Sequence, residues 1–377
     1  MLKKIIGWLL RKWLFITREL FLQKKKNIYI FRYDELGDWV LWLSAAAELR
    51  KFYPKGKWRI ILIGKPALRE LNLQCPYWDE VLDFDIKTYL GSFWYRLRLI
   101  LKLTTADIVL NPVLNRNFSV DKLIGYSGAP ARIGIDVRFD QIAYRPEAER
   151  KAGNSYYKKI ISLDLTKHIL DINADFVSAV TGEKVAAVLD SLAFIPAIKS
   201  TFENYAVVLP GAGTVKRCWE PEKFTEIINL LTKENPELKI VLCGTAGEKR
   251  LSEQIISGAR SRDSVVNCCG KTNLINFCNI IKYSALVIAN ESGGLHIAAS
   301  YGVPSVCILG GGHYGLFHPY PERISSDVKS IAVYCRKDCY NCNWHCYKNP
   351  YLSETYPCVS AVSIDSVWNE IKKRLQK

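Results

Sequence analysis

A chain of 377 residues with 49% hydrophobic residues can bury a large core, which excludes a disordered polymer and points to two domains rather than one. The formal net charge is +15, yet residues 1–26 hold eight Lys or Arg against one acid and so supply +7 of it, leaving a much less basic body. Twelve cysteines in a chain of this length, with no small-residue cleavage site near its start, argue against a secreted disulfide scaffold and for reduced thiols, most of them in a core.

The first segment, MLKKIIGWLLRKWLFITRELFLQKKK, spaces Leu2, Ile6, Leu9, Trp13, Ile16 and Leu20 by three or four, with Lys and Arg between them. That pattern predicts an amphipathic helix lying on an anionic membrane surface; a helix packed on the protein's own body or on a partner is the alternative. Arg11, Lys12, Arg18 and Glu19 interrupt it before the roughly 18 apolar residues a spanning helix needs. The expectation is a cytoplasmic protein, peripheral on the inner face of the cytoplasmic membrane. Nucleic acid is not expected as a partner, because the basic residues are threaded among Leu and Trp rather than gathered in one stripe.

Residues 27–189 read as a Rossmann-like domain. NIYIFR, WRIILIG, DEVLDFD and ADIVLNP are strand candidates, with helical patterns at 39–52 and 92–103 between them. Residues 112–170, with Gly125, Gly128, Gly134 and Gly153, read as long loops and short elements. The polar, proline-containing stretch 190–205 is the expected linker. A second alternation fills 206–360: strands YAVVL, LKIVL, VVN, ALVIAN and SVCIL, with helices at 221–234, 247–258, 273–282 and 293–301. The expected class is α/β with two doubly wound parallel sheets, and a site at the carboxyl ends of the strands. A basic amphipathic helix over about 363–376, within 361–377, closes the chain.

Four loops carry candidate chemistry. In RYDELGDW, Asp38 follows Gly37 at a helix start, where the helix dipole favours a carboxylate able to accept a proton; an ordinary helix-start aspartate is the structural alternative. In LPGAGTVKRCWEPEKF, Gly211 and Gly213 permit close backbone approach, and Thr214, Lys216 and Arg217 offer donors suited to a diphosphate. In CGTAGEKR, Glu248 can accept hydrogen bonds from ribose hydroxyls or simply start a helix. In VIANESGGLHIAAS, the run Glu291, Ser292, Gly293, Gly294, Leu295 and His296 opens a small-residue helix, laying backbone amides open to an anion.

The LGD turn, a basic residue before W-x-P-E-x-F at 217–224, the NESGGLHIAA loop and YGVPSVCILGG together resemble glycosyltransferase family 9, the bacterial heptosyltransferases, over most of residues 27–375. The resemblance implies the GT-B architecture, two facing Rossmann-like domains with an acceptor-binding amino half and a nucleotide-sugar-binding carboxy half. It implies inverting, metal-independent transfer of a sugar, by default heptose from ADP-heptose, to a membrane glycolipid such as lipopolysaccharide core, with no cofactor. It assigns the base to Asp38 and donor contacts to Thr214, Lys216 or Arg217, and the run from Glu291, to which the residue-level readings add Glu248 and His296. Three departures stand out. Glu291 replaces the family's Asp, the family's lysine falls on Arg217 beside Lys216, and LGGGHYGLFHPYP replaces its usual last loop, so that His313 and Tyr314 are candidates for reading a different donor.

Late in the chain, Cys335, Cys339, Cys342 and Cys346 have a spacing compatible with zinc or an iron-sulfur cluster, with His345 and Cys358 nearby. Reduced structural thiols are the expected state, and no metal is assigned. Two other functions fit the same fold, a sugar-nucleotide epimerase and a non-catalytic membrane-attached scaffold.

Overall fold

The computed structural model describes residues 25–136, 146–325, 328–348 and 355–375, so the expected amphipathic segment lies, but for its last two residues, outside the described residues. The chain divides into two compact units. The first takes most residues up to Ala187; the second runs from Val188 onward and also includes Leu36–Leu41 and Lys167–Ile169.

The first unit is built on six parallel strands: β1 (Lys26–Arg32), β2 (Trp58–Gly64), β3 (Glu80–Asp83), β4 (Ile108–Asn111), β5 (Ala131–Asp136) and β6 (Lys159–Ser162). Their order is β3-β2-β1-β4-β5-β6. Ile28 to Phe31 and Ile60 to Ile63 are buried without alternation, as strands covered on both faces require. Helices Leu36–Phe52, Phe93–Leu103 and Phe118–Tyr126 flank the sheet.

The stretch expected to hold long loops and short elements contains four short elements, β5, β6 and the helices Phe118–Tyr126 and Glu147–Asn154. Their sequences hid them for a physical reason. ARIGID is broken by Arg132 and Gly134 and KIIS is only four residues long, so neither shows an apolar run, while the ladder Ile133↔Lys159 to Asp136↔Ser162 is made by backbone. A buried chain of hydrogen bonds secures this region: Asn111 Nδ2 donates to the Tyr157 hydroxyl at 2.7 Å, which donates to Asp121 Oδ1 at 2.6 Å.

The second unit repeats the topology with β7 (Tyr205–Leu209), β8 (Lys239–Leu242), β9 (Val265–Asn267), β10 (Leu286–Asn290), β11 (Ser305–Ile308) and β12 (Ser330–Val333), ordered β12-β11-β10-β7-β8-β9. β12 was not anticipated, because SIAV is short and follows a polar stretch. Trp219, Phe224, Ile227 and Leu231 pack on Ala206, Val208, Ile240 and Leu242, and Val367 and Ile371 of the last helix, Ile364–Leu375, close this core. Residues 190–204 contain no helix or strand and belong to the second unit, where Leu192 and Ile195 are buried. The order reverses between β7 and β10, so the switch point, where sheets of this kind take their ligands, lies at the carboxyl ends of these two strands. Among the described residues no helix is long and apolar enough to cross a membrane.

Candidate functional site

At that switch point β10 ends in Asn290, fully buried. Its Oδ1 accepts the Trp219 N–H at 3.0 Å, and its Nδ2 donates to the Pro210 carbonyl at 2.6 Å. One amide therefore ties both ends of the loop after β7 to the end of β10. The sequence reading named the residues after Asn290 and missed it; its only signal is an Asn closing an apolar strand.

The loop so held presents a 3-10 turn, Val215–Arg217, whose hydrogen bonds run from the Arg217 N–H to the Thr214 carbonyl and from the Cys218 N–H to the Val215 carbonyl, both at 3.0 Å. Thr214 is exposed. Lys216 extends to 6.0 Å from the Tyr356 ring centre. Arg217 is turned inward, with its guanidinium carbon 4.3 Å from the centre of the Trp344 ring and its Nε buried without a hydrogen bond. Burial pulls its pKa down from the usual arginine range, and the Glu291 carboxyl opposes that shift.

Glu291 is the counterpart. Its Oε1 is buried without a hydrogen bond. Burial pushes its pKa up to about 8, Arg217 works against the rise, and the Asp38 carboxylate adds to it. Below that value Glu291 mostly keeps its proton. Asp38 lies in the first turn of helix Leu36–Phe52, within the segment that groups with the second unit. Arg217, Glu291 and Asp38, expected to share a site, are thus electrostatically coupled.

The helix after β10, Gly293–Ser300, starts from Ser292. A side chain at Gly293 would come within 2.9 Å of Leu36 Cβ and 3.0 Å of the Gly37 nitrogen, and one at Gly294 would strike Leu209 at 2.4 Å. Both glycines are required by close packing, and the first brings the amino end of this helix against Gly37. Leu295 and His296 are buried. Tyr320 hydroxyl lies 2.7 Å from His296 Nδ1, and burial, assisted by His168, drives the His296 pKa down to about 3, so the ring is neutral. Its Cδ2 sits 3.1 Å from where a Gly37 side chain would begin. His296 therefore supports the Gly37 turn, and Leu295 can offer a ligand only its backbone.

Glu248 forms a capping box with Thr245, its Oε2 accepting the Thr245 N–H and lying 3.0 Å from the Thr245 hydroxyl. A side chain at Gly211 would overlap its carboxylate. The helix-start role is the one this geometry displays.

The loop after β11, where His313 and Tyr314 are candidates for reading the donor, packs against the cysteine-rich segment. Side chains at Gly310, Gly311 and Gly312 would fall within 2.6, 2.2 and 2.2 Å of the rings of Trp344, Tyr340 and Trp344. Gly311 and Gly312 carbonyls accept the N–H groups of Asn341 and Asn343 at 2.7 and 2.9 Å. Asn341, Asn343 and Trp344 all adopt positive φ, which is rare for a tryptophan. His313 Nδ1 accepts from Trp344 Nε1 at 3.2 Å, so its other nitrogen, at 2.6 Å from Asn343 Oδ1, carries the proton. Both ring nitrogens are used internally, and Tyr314 packs on Tyr334 and Tyr340. His313 seats Trp344, which in turn stacks on Arg217. Nothing local in the sequence marks Trp344, whose partner His313 lies 31 positions back and whose partner Arg217 lies farther still.

All twelve cysteines are unbonded thiols, eight buried and four partly so. Cys339, Cys342, Cys346 and Cys358 line a cavity of about 150 Å³ with Lys337 and Lys348, while Cys335 does not reach it. Among the described residues no group of three or more His, Cys, Asp or Glu is arranged to hold a metal ion.

A family model described as glycosyltransferase family 9 (heptosyltransferase) matches residues 94–343. Lipopolysaccharide core heptosyltransferase OpsX of Haemophilus influenzae is 22% identical over 296 residues, covering 76% of this chain and 80% of that protein. Lipopolysaccharide heptosyltransferase 3 of Escherichia coli K12 is 25% identical over 123 residues, a match spanning 32% of this chain and only 35% of its relative. Among solved structures, E. coli ADP-heptose lps heptosyltransferase II is similar with a TM-score of 0.65 at 16% identity, covering 93% of this chain and 98% of that one. The shared fold is GT-B.

Proposed function

The chain belongs to glycosyltransferase family 9, and from that premise we propose that it transfers a heptose, with inversion and without a catalytic metal, from ADP-heptose to a membrane glycolipid such as lipopolysaccharide core. The heptose, the ADP and the acceptor class come from the names of its relatives. The observation that carries the reading is that Gly293, after β10, packs against Leu36 and Gly37, next to Asp38 at the start of the helix after β1, while Glu291 is coupled to both Asp38 and Arg217. In this reading the Asp38 carboxylate takes the proton of the acceptor hydroxyl as that oxygen bonds to the anomeric carbon. The bond from that carbon to the diphosphate breaks on the opposite face, and its electron pair leaves with ADP. Arg217 and the amides at Ser292 to Leu295 meet the charge that develops there. Glu291, protonated below about pH 8, can donate to the donor sugar or diphosphate. Lys216 and Thr214 extend the diphosphate contacts, and residues 1–26 hold the protein at the anionic inner face of the cytoplasmic membrane.

Asp38→Asn is expected to leave ADP binding nearly intact and to lower transfer by about 100-fold or more, the scale of a lost general base. Transfer from ADP-heptose to a lipopolysaccharide-core acceptor, with ADP binding by calorimetry alongside, measures both. Near wild-type turnover in the mutant would remove Asp38 from the mechanism. Conversion of the donor with no acceptor present would instead support the epimerase.

A further inference from the structure

We propose that the outer face of helix Phe93–Leu103, with the corner that precedes it, is a lipid-docking surface for an anionic bilayer, separate from residues 1–26. Ser92 makes the corner. Its N–H closes the short helix Ile86–Gly91 on the Thr88 carbonyl at 2.8 Å, and its Oγ accepts the Tyr95 N–H at 3.3 Å to start the next helix. Arg96 braces it, donating from Nη1 to the Leu90 carbonyl at 2.7 Å. The inner face of the helix is spent on the core of the first unit, where Leu99 and Leu103 are buried and Tyr95 and Ile100 pack against them.

The outer face should then be polar, and it is not. Phe93, Trp94, Leu97 and Leu101 fall on one side by helical spacing, and Leu90 joins them at the corner. Trp94 is 75% exposed, Phe93 61% and Leu90 56%. The Phe93 and Trp94 rings meet edge to face with centres 5.4 Å apart. Isolated exposed apolar residues need no explanation, but two adjacent aromatics and three leucines grouped at this corner form a patch with a cost in water.

Charge selects the partner. From Ile86 to Leu103 there are four basic residues and no acid; Lys102 is paired with Glu80 at 3.6 Å and Arg96 is spent on the corner, so Lys87 and Arg98 carry the charge of this face. Two copies meeting through this face would oppose like charges. A bilayer with anionic headgroups satisfies both features, because Trp and Phe settle at the headgroup boundary while Arg and Lys keep their apolar stems down and their charges at the phosphates. The surface does not depend on which sugar is transferred.

The full chain is tested by flotation with vesicles of phosphatidylcholine alone or mixed with phosphatidylglycerol, and by amide exchange on the same vesicles. Phe93→Ser/Trp94→Ser should weaken binding to the anionic vesicles about tenfold, without abolishing it, since residues 1–26 remain. Peptides covering 86–103 of the wild type should exchange more slowly on anionic vesicles than on neutral ones, a readout that needs no variant. Unchanged flotation of a folded double variant overturns the proposal. Wild-type exchange over 86–103 that ignores the vesicles does the same, as would a change from dimer to monomer with vesicle binding intact, which would assign the face to a second copy.

Discussion

Glu291 holds an acid where ionisation is costly, and the cost has a pH signature. Its pKa rises from the ordinary carboxyl value of 4.5 to about 8 on folding, so between those values the folded protein binds a proton that the unfolded chain has released. Stability from this residue is fully present below pH 4.5 and is lost as pH climbs to 8. The loss is on the order of 5 kcal/mol if nothing else compensates. Glu291→Gln keeps the shape and removes the titration, so its melting temperature should fall less than the wild type's between pH 5 and 8.5, followed by circular dichroism. Parallel curves for the two proteins would mean that Glu291 is ionised throughout. Asp38, Glu291 and Arg217 were legible in the sequence, Glu291 because it directly follows the apolar strand β10, and Asp38 and Arg217 because they lie in the glycine-containing turns after β1 and β7. Asn290 and Trp344 were not, since their roles arise from partners at Trp219, Pro210, His313 and Arg217 that lie far away in the chain.

Among the elements, those with a continuous apolar run were legible. β1, β2, β7 and β10 and the helix Pro221–Glu234 fall close to where the pattern put them, because burial on two faces or on one stripe leaves a mark in composition. β5, β6 and β12 lie nearer the sheet edges, are short, and are held by ladder hydrogen bonds that side chains do not report. The loop after β11 shows a different limit. Its three glycines invite a phosphate-binding reading, yet their missing side chains are filled by Trp344 and Tyr340. Gly312→Ala is expected to push the Trp344 ring away, cost about 1–3 kcal/mol as an overpacked core site, and weaken ADP binding because Arg217 loses its stacking partner. Gly56→Ala, where nothing lies within 4 Å of the added carbon, is the control for thermal melting and ADP titration. Normal ADP affinity in a folded Gly312→Ala protein would separate Trp344 from the donor site.

At the scale of the whole molecule, each unit has its own six-stranded sheet and its own apolar core, while the residues proposed to meet the diphosphate all group with the second unit. A ligand bound only by the folded protein stabilises it by mass action, by about 2.7 kcal/mol at one hundred times its dissociation constant. ADP should therefore raise the melting temperature of the wild type, and the size of the rise reports which cation holds the diphosphate. Arg217 is turned inward over Trp344 and its fork can grip two phosphate oxygens, whereas Lys216 is a point charge 6.0 Å from the Tyr356 ring centre. Arg217→Ala should cost about 1.5–3 kcal/mol of ADP binding, the worth of a charge-assisted hydrogen bond, and so cancel most of the thermal shift at that ADP concentration. Lys216→Ala should keep most of it, because a solvated charge is screened. A lost shift in Lys216→Ala with a preserved one in Arg217→Ala would move the diphosphate contact by one residue. Shifts preserved in both would leave the amides at Gly293 and Gly294 holding the phosphates without either side chain.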